Sequence, residues 1–106
     1  MEWVKIFNSA EEAREAIEEG KSRKVVIGDV RISLTRYKDA FYALQDHCPH
    51  SAASLSQGWT NDYGELVCPL HNYCYDLKTG REMEQKTADA RVYEVKIEEE
   101  GLFINI

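Results

Sequence analysis

Two short turns most constrain what this chain can become: Cys48-Pro49-His50 and Cys68-Pro69-Leu70-His71. Each offers one thiol and one imidazole from a single turn, and seventeen residues, 51 to 67, separate the two. The stretch around them, about 47 to 81, holds both prolines, all three histidines and all three cysteines. It follows neither the helical nor the strand period, and a long irregular stretch in a small domain needs a reason to be ordered. Two thiolates and two imidazoles suit either tetrahedral zinc or an iron–sulfur cluster. Common zinc fingers put both cysteines on one loop and both histidines on a helix, whereas here Cys-His is followed by Cys-His. Proline beside each cysteine stiffens the turn and removes one N–H near the sulfur.

Size and charge narrow the partners. At 106 residues the chain fits one domain spanning 1–106, with room for one modest core. Thirteen Lys and Arg against nineteen Asp and Glu give a net charge of -6. That balance argues against nucleic acid and anionic membranes, which need a basic face, and suits contact with basic protein surfaces. No run of about 18 apolar residues is present, and Met1-Glu2-Trp3-Val4-Lys5-Ile6 is not an export signal. A cytoplasmic location is therefore expected. There, an odd number of cysteines points to ligation rather than to a disulfide framework.

The flanks read as β structure with one helix. Trp3, Val4, Ile6 and Phe7 suggest a first strand, and Trp3 is expected in the core. Ser9-Ala10-Glu11-Glu12 matches a capping box, with Ser9 as N-cap and Glu12 reaching back. A short helix with the thin stripe Ala13, Ala16 and Ile17 is expected to run to Gly20. Then the period becomes two: Val30, Ile32 and Leu34 alternate with Arg31, Ser33 and Thr35 after the Gly28-Asp29 turn. Phe41–Leu44 follows the Lys38-Asp39 turn. Tyr93, Val95 and Ile97, then Leu102, Ile104 and Ile106, alternate about the turn at Gly101. Short strands and tight turns imply small antiparallel sheets.

Cys48-x-His50, seventeen residues, then Cys68-x-x-His71 resembles the Rieske [2Fe–2S] signature. Pro69, Tyr75-Asp76-Leu77, Thr79-Gly80 and Ser54-Leu55-Ser56-Gln57-Gly58 extend the resemblance over roughly residues 25 to 106. It implies a mainly β Rieske-type fold, with a two-loop cluster-binding subdomain at about 46–81 and the helix as an appendage. Cys48 and Cys68 would hold one iron, His50 and His71 the other, in the manner of this cluster type. Charge explains the consequence. An oxidised core of formal charge +2 with two thiolates is neutral, so adding an electron costs less than it does beside four thiolates. The histidine-bound iron would face the partner and serve as the electron exit.

Departures from the family pattern bear on potential. The cytochrome bc class carries an extra disulfide between the loops, but the matching positions here are Ala53 and Leu70. Its hydroxyl donor two residues after the second histidine is replaced by Tyr73, while Tyr75 matches a tyrosine that bonds a cluster cysteine. Fewer donors to sulfur imply a potential near the low end of the Rieske range, roughly -150 mV. Asn72 stands where many relatives have glycine and tolerates the left-handed backbone such a turn needs. The implied function is a one-electron carrier, a ferredoxin passing electrons from a flavin-dependent reductase to a terminal oxygenase or similar oxidoreductase. Leu70-His71-Asn72 also resembles the small subunit of NAD(P)H nitrite reductases. A subunit role, and a zinc-stabilised interaction module without redox function, are the alternatives. No nucleophile–base pair is visible, so no catalytic residue is expected. The carrier is expected as a monomer or as a subunit of a complex.

Among neighbouring residues, His47 reads as a surface or loop-packing residue and Cys74 as a small buried apolar side chain. Glu11, Glu12, Glu15, Glu18 and Glu19, and likewise Glu98–Glu100, read as solvated faces. Trp59 and Tyr63 are expected to pack over the site.

Overall fold

The computed structural model describes residues 2–106. In order the elements are β1 (Trp3–Phe7), α1 (Ala10–Ala16), β2 (Ser22–Ile27), β3 (Val30–Tyr37) and β4 (Ala40–Gln45). A 3₁₀ turn (Leu55–Gln57) follows, then β5 (Trp59–Thr60), β6 (Glu65–Val67), β7 (Cys74–Asp76), β8 (Val92–Tyr93), β9 (Val95–Glu98) and β10 (Gly101–Asn105). They form three antiparallel sheets: β1-β10-β9, β2-β3-β4-β8 and β5-β6-β7. The expected mainly β architecture is thus present. Among the described residues no helix is long and apolar enough to cross a membrane.

Two cores meet at β4. Successive side chains of a strand point to opposite faces, so Ala43 enters one core and Leu44 the other. The first gathers Ile32, Leu34, Phe41, Leu102 and Ile104 with Ala13 and Ile17 of the helical segment. The second gathers Leu55, Leu66, Tyr75 and Leu77 with Cys48 and Cys68. The sulfurs thereby sit at the apolar centre of a small second layer. β3 is buried on both faces too, which the alternation did not foretell: Ser33 and Thr35 are as buried as Ile32 and Leu34. The face they form packs toward the 3₁₀ turn instead of water, and the Thr35 hydroxyl bonds that of Ser22 at 2.7 Å.

Several local expectations are corrected. Ser9 Oγ accepts the Glu12 N–H at 3.0 Å, but the Glu12 carboxylate accepts from the Asn8 N–H, one residue before the cap. The helix stops at Ala16, not near Gly20. Arg36 ends it, donating to the Arg14 and Ile17 carbonyls at 3.3 and 3.2 Å. Ile17 turns extended into the core, and Ala16 is exposed. Gly20 takes φ 78° in the turn that follows. Trp3 lies on the outer face of β1, 40% exposed, under the Lys96 ammonium at 4.4 Å from its ring centroid. The Tyr93–Ile97 run splits because the chain crosses between sheets at Glu94, leaving Ile97 exposed. The irregular middle contains a three-stranded sheet whose strands, two or three residues long, are too short to print a period.

Candidate metal centre

The first turn leaves β4 and re-enters at the 3₁₀ turn. Within it the Cys48 N–H donates to the Ala53 carbonyl at 2.9 Å and the Ser51 N–H to that of Cys48 at 3.2 Å. His47 and Ser54 pair across its base, and His47 is exposed, as expected. The second turn is the tip of a hairpin: Val67 pairs with Cys74, and the Cys68 N–H donates to the Tyr73 carbonyl at 2.8 Å. To make so tight a tip, His71 and Asn72 both take left-handed backbone, φ 68° and 56°. That costs non-glycine residues of order 1 kcal/mol each. Gly58 brings the two turns together: a side chain there would run into the Val67 carbonyl, next to Cys68.

This folding places ligand atoms of Cys48, His50 and Cys68 within 4.8 Å of one another. Cys48 Sγ lies 2.8 Å from His50 Nδ1. His71 stands outside that trio, with its Nδ1 3.4 Å from His50 Nε2 and the rings 5.6 Å apart. The sulfurs are fully buried, His50 is half-buried and His71 is exposed. Tyr73, which cannot act as a serine would, instead stacks on His50 at 3.9 Å with the rings 15° from parallel. The Tyr75 hydroxyl approaches Cys48 Sγ to 3.4 Å, as the resemblance implied.

The electrostatics follow from burial. Desolvation pushes the Cys68 thiol above its ordinary value. A Leu70 N–H pulls the other way, the Cys48 sulfur adds to the rise, and the Ser51 hydroxyl opposes it. Desolvation likewise raises the Tyr75 phenol, reinforced by Cys48, so it keeps its proton and stays a donor. Cys74 is half-buried rather than buried; burial and then Glu65, Glu82 and Glu84 raise its thiol.

The two aromatics expected over the site lie at the surface. Trp59 is 44% exposed on β5 and Tyr63 is 84% exposed at the β5–β6 turn. Tyr63 lines an open cleft of about 370 Å³ with Tyr37, Tyr42 and Asp76, away from every cysteine and histidine. Asp46 was missed by sequence reasoning, although a charged residue closing the apolar run 41–44 was a readable signal. Its carboxylate is buried beside the first turn.

No cysteine is tied in a disulfide. Two buried sulfurs beside two imidazoles at a protein edge form the mixed soft-donor set that an iron–sulfur group takes, and the residues fit it. Comparison with known proteins agrees. The Rieske [2Fe-2S] domain profile matches residues 2–96. The 3-phenylpropionate/cinnamic acid dioxygenase ferredoxin subunit of Photorhabdus laumondii is 31% identical over 93 residues, covering 87% of this chain and 88% of that protein. The structure described as a complex of reduced oxygenase and oxidized ferredoxin in carbazole 1,9a-dioxygenase superposes with TM-score 0.80 at 28% identity, covering 96% and 91% of the two chains. A putative NADH-dependent nitrite reductase small subunit from Mycobacterium tuberculosis shares the fold, with TM-score 0.82 at 19% identity over 99% of this chain and 96% of that one. With its two buried sulfurs, its paired imidazoles and this match over nearly its whole length, the chain belongs to the Rieske [2Fe–2S] family.

Proposed function

We propose that this chain is a single-domain one-electron carrier, a ferredoxin serving a terminal oxygenase and fed by a reductase. Cys48 and Cys68 would hold one iron of the cluster, and His50 and His71 the other. When bound, the [2Fe–2S] cluster supplies reversible one-electron chemistry. The chain's residues do the rest. Leu44, Leu55, Leu66 and Tyr75 exclude water from the sulfurs. Tyr73 fixes the plane of the His50 ring, and Tyr75 offers its proton to Cys48.

The observation that carries this reading is the gradient across the site, from fully buried sulfurs to an exposed His71. Electrons then enter and leave at the histidine edge. Neither turn, 47–54 nor 68–73, bears a formal charge in a chain that is 30% charged. A partner therefore docks there without burying an ion, which would be costly. In this reading the chain carries electrons rather than catalysing a reaction, and it works in the cytoplasm.

Absorption and EPR spectra of fresh protein, with iron and zinc counted on the same sample, test the reading. A red-brown protein with two irons per chain and a reduced mixed His/Cys signal is expected. A colourless zinc protein that stays colourless after anaerobic reconstitution with iron and sulfide would overturn it. The nitrite reductase alternative rests on Leu70-His71-Asn72. A stable complex on copurification, against a free monomer on size exclusion, distinguishes it.

A further inference from the structure

The two ligand turns are closed by different means. The second is a hairpin tip, held by the β6–β7 ladder at Val67 and Cys74. The first, residues 47–54, lies between β4 and the 3₁₀ turn and is closed at its base by the isolated His47–Ser54 bridge and the Cys48 N–H bond to Ala53. At its mouth sits Asp46, a carboxylate only 2% exposed. A buried carboxylate is costly unless its partners repay it, and the electron carrier as described above makes no use of this one.

Its partners come from three separate elements. Asp46 Oδ1 accepts the Ser56 N–H of the 3₁₀ turn at 2.9 Å. Oδ2 faces the Lys24 ammonium of β2 at 3.5 Å. The Asp46 carbonyl accepts the Leu55 N–H at 2.7 Å, and its own N–H donates to Arg31 of β3 at 3.0 Å. Leu55 and Ser56 are the first residues beyond the turn that carries Cys48 and His50. The carboxylate thus ties the exit of the turn to its entrance, and Lys24 ties both to the β2-β3-β4-β8 sheet.

We propose that Asp46 is the positioning residue of the first ligand turn: the Asp46 clasp on Ser56 and Lys24 sets where Cys48 and His50 stand relative to Cys68 and His71. It touches no iron ligand and acts through the loop it closes. The proposal rests on the ligand assignment given above, and its experiment keeps the two apart.

The test uses the iron-loaded protein and the variants Asp46→Ala, Asp46→Asn and Lys24→Met. Three readouts are the rate of bleaching under a ferrous chelator, the EPR line positions of the reduced cluster, and the thermal midpoint. D46A is expected to bleach about tenfold faster, the scale of one lost charged hydrogen bond, with shifted EPR lines. D46N keeps an acceptor for Ser56 but loses the ion pair with Lys24, and is expected to recover the wild-type spectrum with a bleaching rate between those of wild type and D46A. A lowered thermal midpoint with unchanged spectrum and bleaching would make Asp46 merely structural and overturn the proposal. Should D46A fail to fold, K24M decides: its side chain lies 41% exposed outside both turns. Faster bleaching in K24M supports the clasp, and a wild-type rate overturns it. If wild-type protein holds no iron at all, it is the ligand assignment that fails, a result read before any variant is made.

Discussion

Replacing Tyr75 by Phe removes one oxygen and little else. The ring is fully buried among Leu44, Leu55, Leu66 and Leu77, so the packing survives the change. What is lost is the hydroxyl 3.4 Å from Cys48 Sγ. Burial holds that phenol protonated, so it donates to the sulfur, and a donor is worth more to the reduced cluster, whose ligands carry more negative charge. A net hydrogen bond contributes about 0.5–1.5 kcal/mol. Only the part of this by which the bond is stronger in the reduced state moves the potential, so at 59 mV per tenfold for one electron its loss lowers the midpoint potential by up to about 60 mV. Cyclic voltammetry or an EPR-monitored titration at pH 7 reads this directly. An unchanged or raised potential in a variant with wild-type absorption would show that the hydroxyl does not serve the cluster.

Arg36→Ala removes the guanidinium that caps α1 at Arg14 and Ile17; a loss of about 1–2 kcal/mol is expected, seen as a lower thermal midpoint without change in the visible spectrum. Gly58→Ala forces a methyl into the Val67 carbonyl, and a cost of about 3 kcal/mol or more should appear as poor folding or weak iron retention. Titration with a thiol reagent should find at most one slow thiol, Cys74, in loaded protein and all three once iron is stripped; three fast thiols in loaded protein would contradict the ligand set. The raised Tyr75 phenol and Cys74 thiol have a signed consequence. The folded state holds these protons more tightly than the unfolded one, so their contribution is full below the ordinary thiol and phenol values, 9 and 10, and is lost as pH rises past them. Denaturant midpoints should fall from about pH 9 upward, and less steeply in Tyr75→Phe.

Much of this molecule was readable before any coordinates. Two Cys/His turns of fixed spacing named the donor chemistry, because thiolates and imidazoles on short stiff loops have few other uses. The period-two runs around Ile32 and Leu102 named the sheets, because a half-buried strand must alternate, and Ser9 named the start of the helix, because an exposed N-terminal N–H seeks a side-chain acceptor. The end of that helix was not readable: Arg36, twenty-two residues from Arg14, stops it. Nor could the sequence show that β3 and β4 are buried on both faces, since that depends on a second layer folding over them. Trp3 fell on the outer face because alternation fixes parity along a strand, while the side that becomes the inside is settled by what packs there. The same holds at the site. Spacing determined which residues could ligate; only the tertiary structure decided that the sulfurs are buried while His71 is exposed, that Tyr73 stacks on His50, and that Asp46 closes the loop. Those relations join segments distant in the chain, and burial, not local preference, sets their energy.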